Sequence, residues 1–419
     1  MRISQEIRDF LKKDGLERFF RYVKIHTASD DESESSPSTE RQFDLAKILV
    51  EELKEIGIQN VEMDEYCYVY GVLPASEGYH GPAISFCSHM DTSPDAPGVD
   101  VKPIIHKNYD GGDINFPDNP DLKLNPQICP ELNSFIGQDI ITASGTTLLG
   151  ADNKAGIAEI MSSLAVFSKY PELKHPELKI VFTPDEEVGR GVNHINTSKL
   201  GQYCYTFDGG MIGELETECF DAHFAKIHFT GNNVHPGYAK NKMVNACSIA
   251  ARYFTALPEW QTPERSEKRE GFFHLIKISG DTNQAEIQMI IRDFDSKKNQ
   301  DRISLLKSLK DSFEKIYPGL KIDVEVKEQY KNMKEVLDKY PEVTEIAAKA
   351  ITEAEIEIIH QAIRGGTDGA RLSFMGIPTP NIFAGGLLFH SIKEWMPVSA
   401  LEKASEVLIN ICRLWYEKK

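Results

Sequence analysis

Three short apolar runs in this chain each end in a cluster of ionisable side chains, and that repetition limits the possible folds more than any other feature. Ala83–Cys87 leads into Ser88-His89-Met90-Asp91. Lys179–Phe182 leads into Thr183-Pro184-Asp185-Glu186-Glu187, and Tyr203–Phe207 leads into Asp208-Gly209-Gly210. Apolar runs of this length, bounded by polar residues, read as buried strands. Between the first two, Ile157, Ile160, Met161, Leu164 and Phe167 recur at helical spacing. Nearer the start, Ile3, Ile7, Phe10 and Leu11 share one helical face. Phe43, Ala46, Leu49, Leu53 and Ile56 share another, in a helix that Gly57 ends and that Ser38 or Thr39 is suited to cap. Strands alternating with helices predict an α/β layered fold.

Two stretches break that rhythm. Residues 92–147 carry Pro94, Pro97, Pro103, Pro117, Pro120, Pro126 and Pro130, and read as a long irregular excursion with some short strands. Residues 219–331 read as a separate unit. Ala222–Thr230 alternates like a strand, Met243–Ala256 has helical character, and Gly271–Ser279 and Gln284–Phe294 form two strands around a Gly280-Asp281-Thr282-Asn283 turn. Ile303–Ile316 is again helical and Leu320–Val326 alternates. The order β-α-β-β-α-β is that of a split sandwich, with helices on one sheet face. The expectation is therefore one discontinuous α/β domain, 1–218 with 332–419, interrupted by an α+β domain at 219–331. A length of 419 residues fits two or three domains.

Composition narrows the partners. Lys and Arg total 47 against 64 Asp and Glu, a net charge of −17, which argues against nucleic acid or an anionic membrane as the main partner. The seven cysteines are odd in number and show no C-x-x-C spacing, which argues against a disulfide framework or a structural zinc cluster and for a reducing compartment. Met1–Phe20 carries charges throughout, and no apolar run approaches a membrane span. A cytoplasmic, soluble protein is expected.

Open α/β sheets place their sites at the carboxyl ends of strands. Here three such ends deliver His89 and Asp91, Glu186 and Glu187, and Asp208. Asp152 opens a helix in Gly150-Ala151-Asp152-Asn153-Lys154-Ala155-Gly156, and His390 follows Gly385-Gly386-Leu387-Leu388-Phe389. Imidazole and carboxylate are the ligand set for zinc and similar ions. Each piece has an ordinary reading. Asp152 could cap its helix, Asp208 could serve a turn, the two glutamates could be solvated loop acids, and His390 could simply pack. Histidines such as His26, His80, His106, His175 and His194 read as surface residues. The coincidence of four acids and two histidines of ligand type favours a metal centre.

These motifs resemble the tripeptide aminopeptidases of the di-zinc metallopeptidase family that includes carboxypeptidase G and aminoacylases. The resemblance continues through Val234-His235-Pro236-Gly237, Ile291-Arg292-Asp293-Phe294 and Arg364-Gly365-Gly366-Thr367-Asp368-Gly369, and runs essentially end to end. It implies two zinc ions per subunit, bridged by Asp152. His89 and Asp208 would complete one ion, and Glu187 and His390 the other. Asp91 would orient His89. Glu186 would be the general base.

The inserted domain would be the family's lid and homodimerisation domain, with His235 stabilising the oxyanion. Arg292 and Arg364 would hold the carboxylate of a small peptide substrate. Against that, Arg292 could pair with Asp293 or Asp295, and Arg364 could only cap a loop. Asp at position 208 resembles the aminopeptidases and dipeptidases, where Glu resembles carboxypeptidases and deacylases. The implied activity is removal of the N-terminal residue of tripeptides, with a related amidohydrolase acting on dipeptides or N-acyl amino acids as the alternative. One departure stands out: Leu388 and Ser391 replace the Asn and Gly that usually flank the last histidine, while Glu394 is retained.

Overall fold

The run Ala83–Cys87 becomes part of a strand, Ile84–His89, that is buried along its whole length in an eight-stranded sheet. The computed structural model describes residues 3–418. The strands of its two main sheets are, in chain order, β1 (Gln59–Met63), β2 (Val69–Leu73), β3 (Ile84–His89), β4 (Leu178–Thr183), β5 (Tyr203–Gly209), β6 (Glu214–Cys219), β7 (Asp221–Thr230), β8 (Phe272–Gly280), β9 (Gln284–Asp293), β10 (Lys321–Tyr330), β11 (Ile359–Ile363) and β12 (Asn381–Phe383). The eight-stranded sheet has the order β1-β2-β4-β3-β5-β12-β6-β11. Its centre is parallel: β3 pairs with β4 and β5, and β5 with β12. Such strands are covered on both faces, which is why they read as nearly continuous apolar runs.

The parallel register sets the position of the site. His89 lies opposite Thr183, so the segments after β3 and β4 leave the sheet at the same edge, where β5 also ends. Helix α1 (Gln5–Tyr22) is capped by the Ser4 hydroxyl, and α2 (Gln42–Ile56) ends at Gly57 in the left-handed conformation, φ 95°. Neither Ser38 nor Thr39 caps α2: Arg41 holds that place without a side-chain bond. Ser38 bonds Asp185 instead, and Thr39 bonds the Ala28 carbonyl. Helix α3 (Ala151–Lys169) is buried along most of its length. The excursion holds short strands at Ile104–His106, Ile114–Phe116, Asn119–Leu124 and Ile140–Thr142. His175 is buried, not exposed, with its ring 4.8 Å from that of Phe167.

Contacts divide the chain into two units. The first runs to Thr217 and resumes over Glu335–Gln361 and from Thr367 onward. The second is Glu218–Lys334 with Ala362–Gly366, so Glu218 and residues 332–334 and 362–366, expected with the α/β domain, belong to it. The physical reason is local packing: the Arg364 side chain stacks on Phe220 and Phe272, and the Phe220 N–H donates to the Ile363 carbonyl. The second unit is an antiparallel sheet of order β8-β9-β7-β10. Helices α4 (Ala246–Thr255) and α5 (Ser296–Ile316) share its core with Ile227, Phe229, Ile287 and Ile291. All seven cysteines are free thiols.

Candidate metal centre

At the sheet edge, one carboxylate sits between two imidazoles. His89 Nε2 lies 2.9 Å from Asp152 Oδ1 and 3.2 Å from Asp208 Oδ1. His390 Nε2 lies 3.2 Å from Asp152 Oδ2 and 2.8 Å from Glu187 Oε2. Each Asp152 oxygen thus faces a different histidine. Ligand atoms of His89, Asp152 and Glu187 fall within 4.8 Å of one another, as do those of His89, Glu186 and Asp208. The His89 side chain is 2% exposed and that of His390 41%, so the centre opens to solvent at its His390 end.

The backbone makes this convergence possible. Gly150 takes φ 81° and Asp152 leaves helical geometry, which turns the first residues of α3 toward β5. Gly156 lets α3 approach: a Cβ there would run into the Phe207 carbonyl. After β4, Asp185 takes φ 56° just before a tight turn, Glu186–Gly189, closed by the Gly189 N–H to Glu186 carbonyl bond of 2.7 Å, and its own carbonyl accepts the Arg190 N–H at 2.9 Å.

Polar groups behind the centre hold it. His89 Nδ1–H donates to the Asp91 carbonyl oxygen at 3.0 Å, with the Asp91 carboxylate 3.5 Å away. That carboxylate accepts the backbone N–H groups of Glu186 at 3.0 Å and Glu187 at 3.1 Å, so it places both glutamates as well as lying beside the imidazole. Asp95 Oδ2 stands 3.4 Å from His390 Nδ1. Buried Asp368 accepts the Thr183 hydroxyl at 2.7 Å. Glu394 accepts the N–H groups of Leu149, Gly150 and Asp152. The sequence reading gives Asp95, Asp185 and Asp368 no role. The one available signal was their place inside or beside the motifs, since their partners lie far away in the chain.

The electrostatics favour cations. Asp91, Asp152, Glu186, Glu187, Asp208 and Asp368 gather around two imidazoles, and the buried Lys154 ammonium interacts with Asp91 from one side. Two like charges 4 Å apart repel by roughly 4 kcal/mol at an effective dielectric of 20. Burial and the charge of Asp208 push Glu186 well above the usual carboxylate range. Burial and Asp152 push Glu187 up to about 8. Burial also raises Asp208, against the pull of His89, and lifts Asp368 to about 7. Asp152 moves the other way: burial opposes its charge, but hydrogen bonds to His390 and His89 hold it low. Hydrogen bonds to Asp152 and Glu187 raise His390 to about 11.

The donor set fits divalent metal ions. Glu187 Oε1 is buried without a hydrogen-bond partner among the described residues. Two ligands each about 2.0–2.2 Å from one zinc ion stand roughly 3–3.6 Å apart, close to the spacings here.

The three residues expected to meet substrate lie in the second unit. His235 is exposed, and its Nδ1 accepts the Gly237 N–H at 3.1 Å. Arg292 is half-buried, over the Tyr330 ring. It bonds the Arg364 carbonyl at 3.4 Å, and its Nε has no hydrogen-bond partner among the described residues. Neither Asp293 nor Asp295 is paired with it; Asp293 pairs with Arg302 at 2.6 Å. The Arg364 guanidinium is already engaged by the Lys268 and Glu270 carbonyls and by Ser266.

The family described as peptidase family M20/M25/M40 matches residues 147–413. The chain belongs to this family. It is therefore a peptidase, and so a hydrolase. A protein named peptidase T from Clostridium acetobutylicum is 48% identical over 404 residues, covering 96% of this chain and 99% of its own. Among solved structures, an aminopeptidase from Bacillus cereus has a TM-score of 0.76 at 23% identity, covering 96% of this chain and 98% of its own. A Bacillus subtilis protein described as a dinuclear metal binding peptidase of the M20 family has a TM-score of 0.66 at 14% identity, over 98% of this chain and 99% of its own. The last two likenesses concern fold. Among the described residues, no helix of this M20/M25/M40 peptidase is long and apolar enough to cross a membrane.

Proposed function

We propose that this peptidase removes the N-terminal residue from tripeptides at a centre that holds two zinc ions. The observation that carries the reading is Asp152, whose two oxygens face two different imidazoles. His89 and Asp208 would complete one ion, and Glu187 and His390 the other. Two ions held in this way polarise a peptide carbonyl and lower the pKa of water. The near-full-length likeness to a protein named peptidase T supports the tripeptide substrate, and Asp at position 208 supports a free amino terminus.

The residues of the chain divide the remaining work. The Glu186 carboxylate is the general base: it takes a proton from the attacking water and passes it to the leaving amine. Asp91 holds the Glu186 and Glu187 backbone so that both side chains face the same space. Arg292, with its unpartnered Nε, receives the carboxylate terminus of the peptide. Arg364 contributes by fixing the 266–270 loop and by offering its carbonyl to Arg292. His235 serves the oxyanion, the inserted unit acts as a lid and pairs two copies of the chain, and the enzyme works in the cytoplasm.

Mass spectrometry after zinc-loaded protein meets an unblocked tripeptide tests the activity. The expected products are one free N-terminal amino acid and an intact dipeptide. An uncut tripeptide alongside cleavage of N-acyl amino acids would replace this reading with that of a related amidohydrolase. Glu186→Gln is expected to lower kcat by about 10²–10⁴ or more while both metal ions are retained. Full activity in that variant would remove Glu186 as the base.

A further inference from the structure

Glu394 contributes no ligand atom to either proposed ion, yet it stands at the junction of the two loops that supply Asp152 and His390. Its side chain is buried. Oε2 accepts the N–H groups of Leu149 and Gly150, each at 2.7 Å, and Oε1 accepts the N–H of Asp152 at 3.0 Å. These amides converge because Gly150 takes φ 81° and Asp152 has ψ 103°, so the backbone forms a concave nest around an anion. The Asp152 amide held in this way belongs to the same residue whose two oxygens face the two histidines.

The other end of this contact is equally constrained. Glu394 and His390 lie on one loop, closed at its base by reciprocal backbone bonds between Leu387 and Trp395 at 2.8 and 3.1 Å. Inside it, the Ser391 hydroxyl donates to the Leu388 carbonyl at 2.7 Å, and the Glu394 N–H donates to the Ser391 carbonyl at 3.1 Å. One short loop therefore delivers the exposed histidine and, four residues later, the carboxylate that grips the bridging aspartate's backbone.

We infer that Glu394 is a positioning residue that fixes the spacing of Asp152 and His390 before metal arrives. The inference rests on the two-metal reading. Its consequence concerns metal affinity: ligands already in place lose less freedom on binding. Groups behind a metal's ligands typically change affinity by about 10–100-fold when removed. In Glu394→Gln one oxygen acceptor becomes an N–H₂ group facing backbone N–H donors, with little change in side-chain size.

The experiment is calorimetric titration of chelator-treated wild type and Glu394→Gln with zinc, beside thermal melts of both metal-free proteins. Wild type is expected to bind two ions, and the variant to bind at least one of them about 10–100-fold more weakly. A variant that melts lower but titrates like wild type shows a purely structural role and overturns the inference. Wild type that takes up no zinc overturns the two-metal reading and this inference with it. Should the variant fail to fold, hydrogen exchange on metal-free wild type decides. The amides of Leu149, Gly150 and Asp152 must already exchange slowly. If they become protected only when zinc is added, metal and not Glu394 orders the loop, and the inference fails.

Discussion

Asp185 precedes the two glutamates of the centre and contributes to them only through its backbone. Its carboxylate accepts the Ser38 N–H, the Ser38 hydroxyl and the Gln42 side-chain amide, while the Gln42 carbonyl oxygen accepts the Asp185 N–H at 3.2 Å. Gln42 thus grips Asp185 from both sides, just before the turn, where that residue holds φ 56°. Removing the amide leaves a buried carboxylate short of a donor, which costs about 1–3 kcal/mol. Gln42→Ala should therefore lower the stability of the protein by about that amount. It should also lower kcat more than it raises KM, because Glu186 shifts while the substrate contacts do not. Steady-state kinetics with a tripeptide and urea melts would check both parts. An unchanged kcat in a destabilised variant would confine Asp185 to stability. None of this was legible in the residues themselves. His89, Asp152, Glu187, Asp208 and His390 stood out because ligand chemistry needs those side chains. Asp185 and Asp368 are ordinary acids until partners more than a hundred positions away come beside them.

Helix α3 shows what periodicity can and cannot reveal. Ile157, Ile160, Met161, Leu164 and Phe167 marked it correctly, but the same pattern hid Glu159, which is wholly buried on that helix with neither carboxylate oxygen hydrogen-bonded among the described residues. Burial alone pushes its pKa well above the usual 4.5. The folded state then keeps a proton that the unfolded chain releases. Stability is therefore fullest below the unfolded pKa and falls as pH rises, by about 1.4 kcal/mol per pH unit, until the folded pKa is passed. Glu159→Gln removes this dependence. Its advantage over wild type in urea melts should grow as pH rises above the unfolded carboxyl pKa and level off once the folded pKa is passed. Parallel curves would mean that the carboxyl is ionised, or solvated, in the folded protein. The start of α2 was misread for a related reason. Ser38 and Thr39 have the chemistry of N-caps, but tertiary partners claim both, and local preference yields to a buried carboxylate that needs donors.

At the scale of the whole molecule, the chain falls into two units, and each carries its own apolar core. Glu218 and residues 332–334 and 362–366 fall in the second unit, not the first, and 362–366 joins it through Arg364 and its aromatic neighbours, contacts that no pattern within the segment announces. This division has a thermodynamic consequence. Every proposed metal ligand lies in the first unit, and none lies in the second. Metal that binds only the folded state stabilises the part that holds it, by about 4 kcal/mol per ion at a thousandfold excess over Kd. In the first unit such ions would also neutralise carboxylates that otherwise repel one another. For domains of 150–250 residues each kcal/mol moves Tm by about 2–4 °C, so the first unit, which is larger, should shift by the lower figure or less per kcal/mol. Scanning calorimetry of zinc-loaded and chelator-treated protein is therefore expected to resolve two transitions, of which chelation lowers one and leaves the other in place. Cores that unfolded as one would give a single transition moving as a whole. A chelator shift in both transitions would require a ligand in the second unit, and the assignment of the five ligands would then have to change.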